Sequence, residues 1–178
     1  RDFTEFPAQI LEHWASEPEI LKSFATHHKT EETIPEDLIE KILNASKFNQ
    51  GFMNTEYLAA SLLDMDWHTI SVEDDLKNTN EFEEESLKKY GLIEEITPRY
   101  RSTYFSHIFS GGYSAGYYSY VHSAVLDSDG FEAFKETGDI FNTKLATKLR
   151  ENVYEKGSTE EAMDLYVKFR GRKPVIEP

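Results

Sequence analysis

A mainly α-helical fold is predicted by three features of the sequence. Apolar residues recur at three- and four-residue steps, as Phe6, Ile10, Leu11 and Trp14 do. Capping residues punctuate those stretches, with Asp2, Asn54, Asn142 and Ser158 as starts and Gly91, Gly157 and Gly171 as ends. Only Ile93 to Thr97 could form a short strand, and Pro98 limits it. About six helices and at most one minor strand are expected, with no internal repeat.

Taken in order, the first helix is expected from Asp2 to about Phe24, with Pro7 tolerable only near its start. Pro35 opens a second, to about Ser46, facing inward through Leu38, Ile39, Ile42 and Leu43. Asn49-Gln50-Gly51 reads as a break, after which Asn54 caps a long helix to His68. The stretch Ser71 to Glu85 is rich in acids and reads as a solvated loop, with a short helix over Asn80 to Tyr90 closed by Gly91. A helix is expected from Tyr113 to about Leu126, with Asp127-Ser128-Asp129-Gly130 as a turn or helix start. Asn142 caps a helix to Lys156. Ser158 and Glu161 have capping-box spacing for a last helix to Phe169.

The 178 residues suffice for one domain with a real core, two being the less economical division. Acidic residues number 33 against 19 basic, a formal charge of −14. That disfavours nucleic acid, which needs a basic face, and an anionic membrane surface. No apolar run is long enough to span a bilayer. Cysteine is absent, which removes disulfides and thiolate metal sites. It fits the cytoplasm best, with a periplasmic or secreted protein as the alternative. The charged opening Arg-Asp-Phe-Thr-Glu is no leader peptide and reads like the middle of a longer chain.

The densest chemistry lies in YFSHIFSGGYSAGYYSY, Tyr104 to Tyr120, which holds five of the ten tyrosines and three of the nine glycines. On a helix beginning near Tyr113, Tyr113, Tyr117 and Tyr120 share one face and Tyr118 points elsewhere. Two readings stand together: a packed aromatic stripe, or a wall of phenols able to donate to a carbonyl oxygen. Gly111-Gly112 would let the preceding loop move or approach a ligand closely. His107 lies six residues before Tyr113 and is either structural or part of that wall.

The other candidates read more simply. Glu5 falls in the first turn of the first helix, where a carboxylate suits the dipole. His27 and His28 are adjacent, not spaced as a helical metal pair, and His13, His68 and His122 look like ordinary helix residues. The acids before Glu85 lack the register of a calcium loop. Phosphate-binding glycine loops and the nucleophile elbow are absent from the sequence.

Four segments in order carry a wider resemblance: RDFTEFPAQILEHW, FNQGFMNTEYLAASLLDMDWH, YRSTYFSHIFSGGYSAGYYSY and LRENVYEKGSTEEAMDLYVKFRGRKPVIEP. Together they resemble the thimet-oligopeptidase-like zinc metallopeptidases, and within them the bacterial peptidyl-dipeptidase branch, the dipeptidyl carboxypeptidases. The resemblance implies a helical catalytic domain with a deep, narrow channel. It implies one zinc ion per active site, held by two histidines of a His-Glu-x-x-His helix and one glutamate downstream. That glutamate corresponds to Glu5. The histidines and the general-base glutamate are expected upstream of Arg1, so residues 1–178 read as the C-terminal fragment of the catalytic domain, inactive and metal-free alone.

The resemblance also places His107 and Tyr113 against the peptide backbone, Tyr120 as donor to the oxyanion, and Tyr117 along the channel. Asp2 has two readings, the N-cap of the first helix or a partner orienting a ligand histidine. The expected reaction is hydrolysis of oligopeptides, releasing C-terminal dipeptides. The implied partners are the oligopeptide substrate and the N-terminal part of the same protein. Apolar surface on such a fragment is expected to drive a homo-oligomer or a domain swap. A rival reading makes the chain a non-catalytic helical peptide-binding or structural module.

Overall fold

The computed structural model describes residues 2–71 and 78–176. Residues 72–77, in the acidic stretch expected to be a solvated loop, lie outside the described residues. Helices make up the regular structure, and among the described residues there is no sheet, only an isolated antiparallel bridge between Thr26 and Thr33. Among these residues no helix is long and apolar enough to cross a membrane. The chain divides into two compact units. Residues 47–121 form one, and residues 2–46 with 122–178 form the other.

The second unit begins with α1 (Phe6–Ser16), α2 (Pro18–Phe24) and α3 (Glu36–Ala45). The single helix expected to Phe24 is thus two. Pro18 cannot donate its nitrogen to the helix, and it forces Glu17 into an extended conformation with ψ 134°. The same proline then opens α2, where its fixed φ suits the first turn. At the other end of the chain lie α8 (Thr143–Leu149), a π-helical turn (Arg150–Tyr154) and α9 (Ala162–Arg170). Asn142 caps α8 as expected, its Oδ1 accepting from the Leu145 N–H at 3.0 Å. The capping box expected at Ser158 does not form: Glu161 occupies the N-cap of α9 and makes no side-chain cap bond.

The helix α7 (Ser119–Glu136) departs most from expectation. Its first three residues belong with unit 47–121 and the rest with the second unit. It starts six residues after Tyr113 and runs straight through Asp127–Gly130, where a turn or a helix start was expected. The acids there have partners in place of turn roles. Asp127 Oδ1 is 2.7 Å from His13 Nε2, and Asp129 accepts the Tyr166 hydroxyl at 2.6 Å. Gly130 lets α1 and α9 approach: a Cβ there would lie 3.0 Å from Ile10 Cδ1 and 3.2 Å from Phe6 Cε2. The core of this unit is Phe6, Ile10, Leu126, Phe131, Phe134, Leu149, Val153, Tyr166 and Phe169, all buried. Trp14 lies edge-on to Phe131 and Phe134, and its indole N–H donates to the Ile140 carbonyl at 3.0 Å.

Unit 47–121 is built on α4 (Gln50–His68) and α5 (Thr79–Lys89). The break expected at residues 49–51 is the start of α4. Asn49 sits in the left-handed region with φ 59°, and Asn54, expected as a cap, lies inside the helix. Asn78 caps α5, and Gly91, with φ 75°, ends it as expected. Ala59, Leu63 and Leu87 close the α4–α5 contact, with Trp67 and Phe82 packed on them. Asp66 ties the two helices, accepting from the Ser86 hydroxyl at 2.7 Å and the Tyr90 hydroxyl at 2.8 Å. Ile93–Thr97 pairs with no strand; its Ile96 N–H closes a turn on Ile93.

Candidate functional site

The tyrosine-rich segment is pinned at both ends to α4 and α5. Glu83, buried on α5, accepts the Ser102 N–H at 2.6 Å and pairs with Arg101. Ser102 in turn accepts the Trp67 indole N–H at 2.8 Å. This fixes a 3₁₀ turn (Ser102–Tyr104), from which the short helix α6 (Ser106–Ser110) follows. Phe105 and Ile108 are buried under it. His107, between them in sequence and on α6, is half-buried.

Next comes the turn through residues 111–118. Tyr113, Tyr117 and Tyr120 do not ride one helix face, because α7 begins only at Ser119. Two features stop a helix at Tyr113. Gly112 takes φ 76° and Ala115 φ 52°, both left-handed. The N–H groups of Ala115 and Tyr117 are also claimed by a side chain, the Asp64 carboxylate on α4, at 3.0 and 2.8 Å. Gly111 packs against the turn before it; a Cβ there would lie 3.3 Å from the His107 carbonyl oxygen.

The turn nevertheless gathers the expected rings around His107. Its ring lies 4.6 Å from Tyr113, 5.5 Å from Tyr117 and 5.8 Å from Tyr120, centroid to centroid. The Tyr120 hydroxyl and His107 Nε2 share a hydrogen bond of 3.0 Å. Tyr113 and Tyr120 are near-parallel at 6.0 Å. Tyr117 is buried beneath them, stacked on Tyr57 at 5.3 Å and edge-on to Phe105 at 5.1 Å. Its role is thus that of a floor, while Tyr113 and Tyr120 keep partial access to solvent.

Burial holds the protons on two of these phenols, Tyr117 and Tyr57. Burial pushes the Tyr117 hydroxyl up to about 12. Tyr57 is driven above its ordinary value by burial first, and by the neighbouring Tyr117 and Tyr120. At neutral pH the cluster is a set of O–H donors around one imidazole, with the Arg99 guanidinium 5.4 Å over the Tyr57 ring. Such a set can bind a carbonyl oxygen and stabilise negative charge developing on it.

Tyr57, Tyr100 and Asp64 are members of this arrangement that sequence reasoning passed over. Asp64 had a legible sign: an acid inside the apolar run Leu62-Leu63-Asp64-Met65, four residues before His68. Its carboxylate is fully buried, and His68 Nδ1 lies 2.8 Å from Oδ1.

Glu5 and Asp2 belong to the second unit. Glu5 is the N-cap residue of α1, not part of its first turn, and its carbonyl accepts the N–H groups of Ala8 and Gln9 at 3.1 and 2.9 Å. Asp2 is not the helix cap; it precedes α1 in a turn, and its carbonyl lies 3.0 Å from His122 Nδ1. The segment is anchored on either side of Glu5. The Phe3 and Phe6 rings meet at 5.0 Å, and the Tyr154 hydroxyl donates to the Pro7 carbonyl at 2.7 Å. The Glu5 side chain is half-buried. Among the described residues no three His, Cys, Asp or Glu side chains converge to hold a metal ion. A catalytic zinc ion takes three protein ligands, so the described residues do not make such a site by themselves.

The sequence matches proteins of known activity. It is 40% identical to the dipeptidyl carboxypeptidase of Escherichia coli (strain K12) over 179 aligned residues, covering 100% of this chain and 26% of that protein. It is 41% identical to the dipeptidyl carboxypeptidase of Salmonella typhimurium over the same shares. Oligopeptidase A of Escherichia coli is 35% identical, over 99% of this chain and 26% of that protein. The chain thus spans about a quarter of the length of the curated relatives it matches. The sequence model of peptidase family M3 matches residues 1–178, from the Glu5 segment through the tyrosine cluster to the end, and the chain belongs to that family.

Proposed function

We propose that this chain forms the C-terminal part of a zinc peptidase catalytic domain that releases dipeptides from the C-termini of oligopeptides. The observation that carries the reading is the hydrogen-bonded Tyr120–His107 pair set among further phenols. The identity to two dipeptidyl carboxypeptidases over the whole chain supports the substrate class.

Within this reading Tyr120 donates a hydrogen bond, keeping its proton, to the oxygen of the scissile carbonyl as that oxygen gains negative charge. His107 sets the direction of that proton. With Nε2 protonated, the imidazole donates to the phenol oxygen and leaves the phenol hydrogen for the substrate. Tyr113, parallel to Tyr120 on the same side of His107, holds the peptide backbone. Tyr117, buried and kept neutral, supports the other two from below. Glu5 serves as one carboxylate ligand to zinc, the remaining ligands coming from elsewhere in the full-length protein. When bound there, zinc supplies an activated water and Lewis acidity.

The test is an assay of the full-length protein on a blocked oligopeptide, with products identified by mass. C-terminal dipeptides are expected, and Tyr120→Phe should lower kcat by about 10² or more, as loss of one oxyanion donor does. Unchanged turnover in Tyr120→Phe would exclude the donor role. Absence of peptide cleavage by the wild-type protein would favour a binding module.

A further inference from the structure

The buried carboxylate of Asp64 has no part in the chemistry just described, yet it is the side chain of α4 that binds the backbone of the tyrosine turn at two N–H groups. It is fully buried on a helix whose neighbours Leu63 and Ala60 are apolar. A charge in such a place persists only where donors surround it. Asp64 has two backbone donors, both from the tyrosine turn and both more than fifty residues away in sequence. The Ala115 N–H reaches Oδ1 at 3.0 Å and the Tyr117 N–H reaches Oδ2 at 2.8 Å. Its remaining neighbour is His68 Nδ1, 2.8 Å from Oδ1 and also 2.8 Å from the Asp64 carbonyl.

We propose that Asp64 is a positioning residue for the Tyr120–His107 pair. Its two oxygens hold the turn between α6 and α7 in the one conformation that carries Tyr113, Tyr117 and Tyr120 to His107. This role rests on the function proposed above. Within the turn the Gly116 N–H donates to the Tyr113 carbonyl at 2.8 Å and the Ser119 N–H to the Gly116 carbonyl at 3.1 Å, whereas Asp64 ties its backbone to α4. Ala115 sits at φ 52°, a conformation an alanine leaves readily unless it is tied down. Helix formation from Tyr113 onward, which the spacing of the tyrosines suggests, would need the Tyr117 N–H that Asp64 engages. The carboxylate therefore decides between a helical turn, which would spread the rings around an axis, and the observed turn, which gathers them. Ser114 adds one further tie, its hydroxyl donating to the Ile108 carbonyl at 2.8 Å.

Asp64→Asn is the informative substitution. It keeps the shape and one acceptor, and places an amide donor against a backbone N–H. In the full-length protein it should lower kcat about tenfold or more with KM within about threefold of wild type, because the pair is misplaced and not removed. In a Tyr120→Phe background the same substitution should cost much less, since its effect runs through Tyr120. Amide exchange at Ala115 and Tyr117 should quicken about tenfold or more while the α5 amides keep wild-type protection. Ala115→Gly, which removes the objection to positive φ, should restore part of the lost kcat.

A fully additive double variant, or a loss confined to KM, would overturn the proposal. So would unchanged exchange at residues 115 and 117. If Tyr120→Phe alone leaves turnover intact, the oxyanion reading fails, and exchange with the Ala115→Gly rescue still decides whether Asp64 positions the turn. If Asp64→Asn does not fold, the wild-type amides of Ala115 and Tyr117 decide: strong protection supports the strap, and exchange at the rate of an open turn refutes it.

Discussion

The Tyr120 hydroxyl and His107 Nε2 lie 3.0 Å apart, joining the first residues of α7 to the short helix α6 across a glycine turn. Neither residue sits in the deep core, so the bond costs less desolvation than a buried one and contributes mainly orientation. His107→Gln retains a side chain able to hydrogen-bond but not the rigid ring packed against Tyr113. We expect the full-length variant to show KM raised about fivefold and kcat lowered less than in Tyr120→Phe, consistent with the loss of one net hydrogen bond of about 1 kcal/mol. Steady-state kinetics on one peptide would check this. A kcat loss equal to that of Tyr120→Phe would mean that the donor role of Tyr120 depends wholly on its bond to His107.

Tyr117 gives a pH-dependent prediction about stability. Its hydroxyl, pushed up to about 12 by burial, keeps its proton where an unfolded tyrosine, near 10.0, has lost it. Between those values the folded chain binds more protons than the unfolded one, so stability is full below pH 10 and falls as pH rises toward 12. The two-unit difference corresponds to about 2–3 kcal/mol at most. Tyr117→Phe should therefore show a smaller drop in urea midpoint between pH 9 and pH 11 than the wild-type chain. Equal drops in the two proteins would assign the alkaline sensitivity to Tyr57 and Tyr166, whose hydroxyls burial also raises.

Much of the helical order was legible because local signals controlled it. Asn142 and Gly91 act where their chemistry says they should. Pro18 was an equally local stop signal, and it divides the helix expected to reach Phe24. What could not be read locally were the places where a distant side chain takes over the backbone. The periodicity of Tyr113, Tyr117 and Tyr120 fits a helix, but Asp64, 53 residues away, takes the N–H of Tyr117. The acids of Asp127–Gly130 look like turn residues until His13 and Tyr166 supply their partners. The grouping of His107 with Tyr113, Tyr117 and Tyr120 does not depend on that helix, because the short segment from α6 to the start of α7 brings their rings together in the observed turn as well.

Asp129 shows how the second unit holds its charge, and what would break it. It is fully buried; Oδ2 accepts from the Tyr166 hydroxyl at 2.6 Å and from Arg170 Nε at 3.2 Å, and Oδ1 is 2.7 Å from an Arg172 nitrogen. Arg170 is itself almost buried and also forks onto Glu136 at 2.9 and 2.6 Å. Removing one partner of a buried charge typically costs about 3–5 kcal/mol. Arg170→Met should approach that range. Arg172→Met should cost less, because the Arg172 side chain is 39% exposed and water can replace it in part. Urea unfolding of the two variants would rank them, and equal losses would show that Asp129 depends on both arginines alike.

Gly130 sets two effects of opposite sign against each other. In the interior of α7 an alanine would favour the helix by about 1 kcal/mol over glycine. The added Cβ, however, would lie 3.0 Å from Ile10 Cδ1, 3.2 Å from Phe6 Cε2 and 3.4 Å from Phe169 Cε1. Ile10, Phe6 and Phe169 are fully buried in one core, so none can yield without disturbing the others. Overpacking of this kind costs about 1–3 kcal/mol, which outweighs the helical gain. Gly130→Ala should therefore lower the thermal midpoint, whereas alanine at the exposed Gly51 of α4, whose Cβ would meet nothing within 4 Å, should raise it. Calorimetry on both variants separates helix propensity from packing. A stabilised Gly130→Ala protein would mean that α1 and α9 can move apart at no cost.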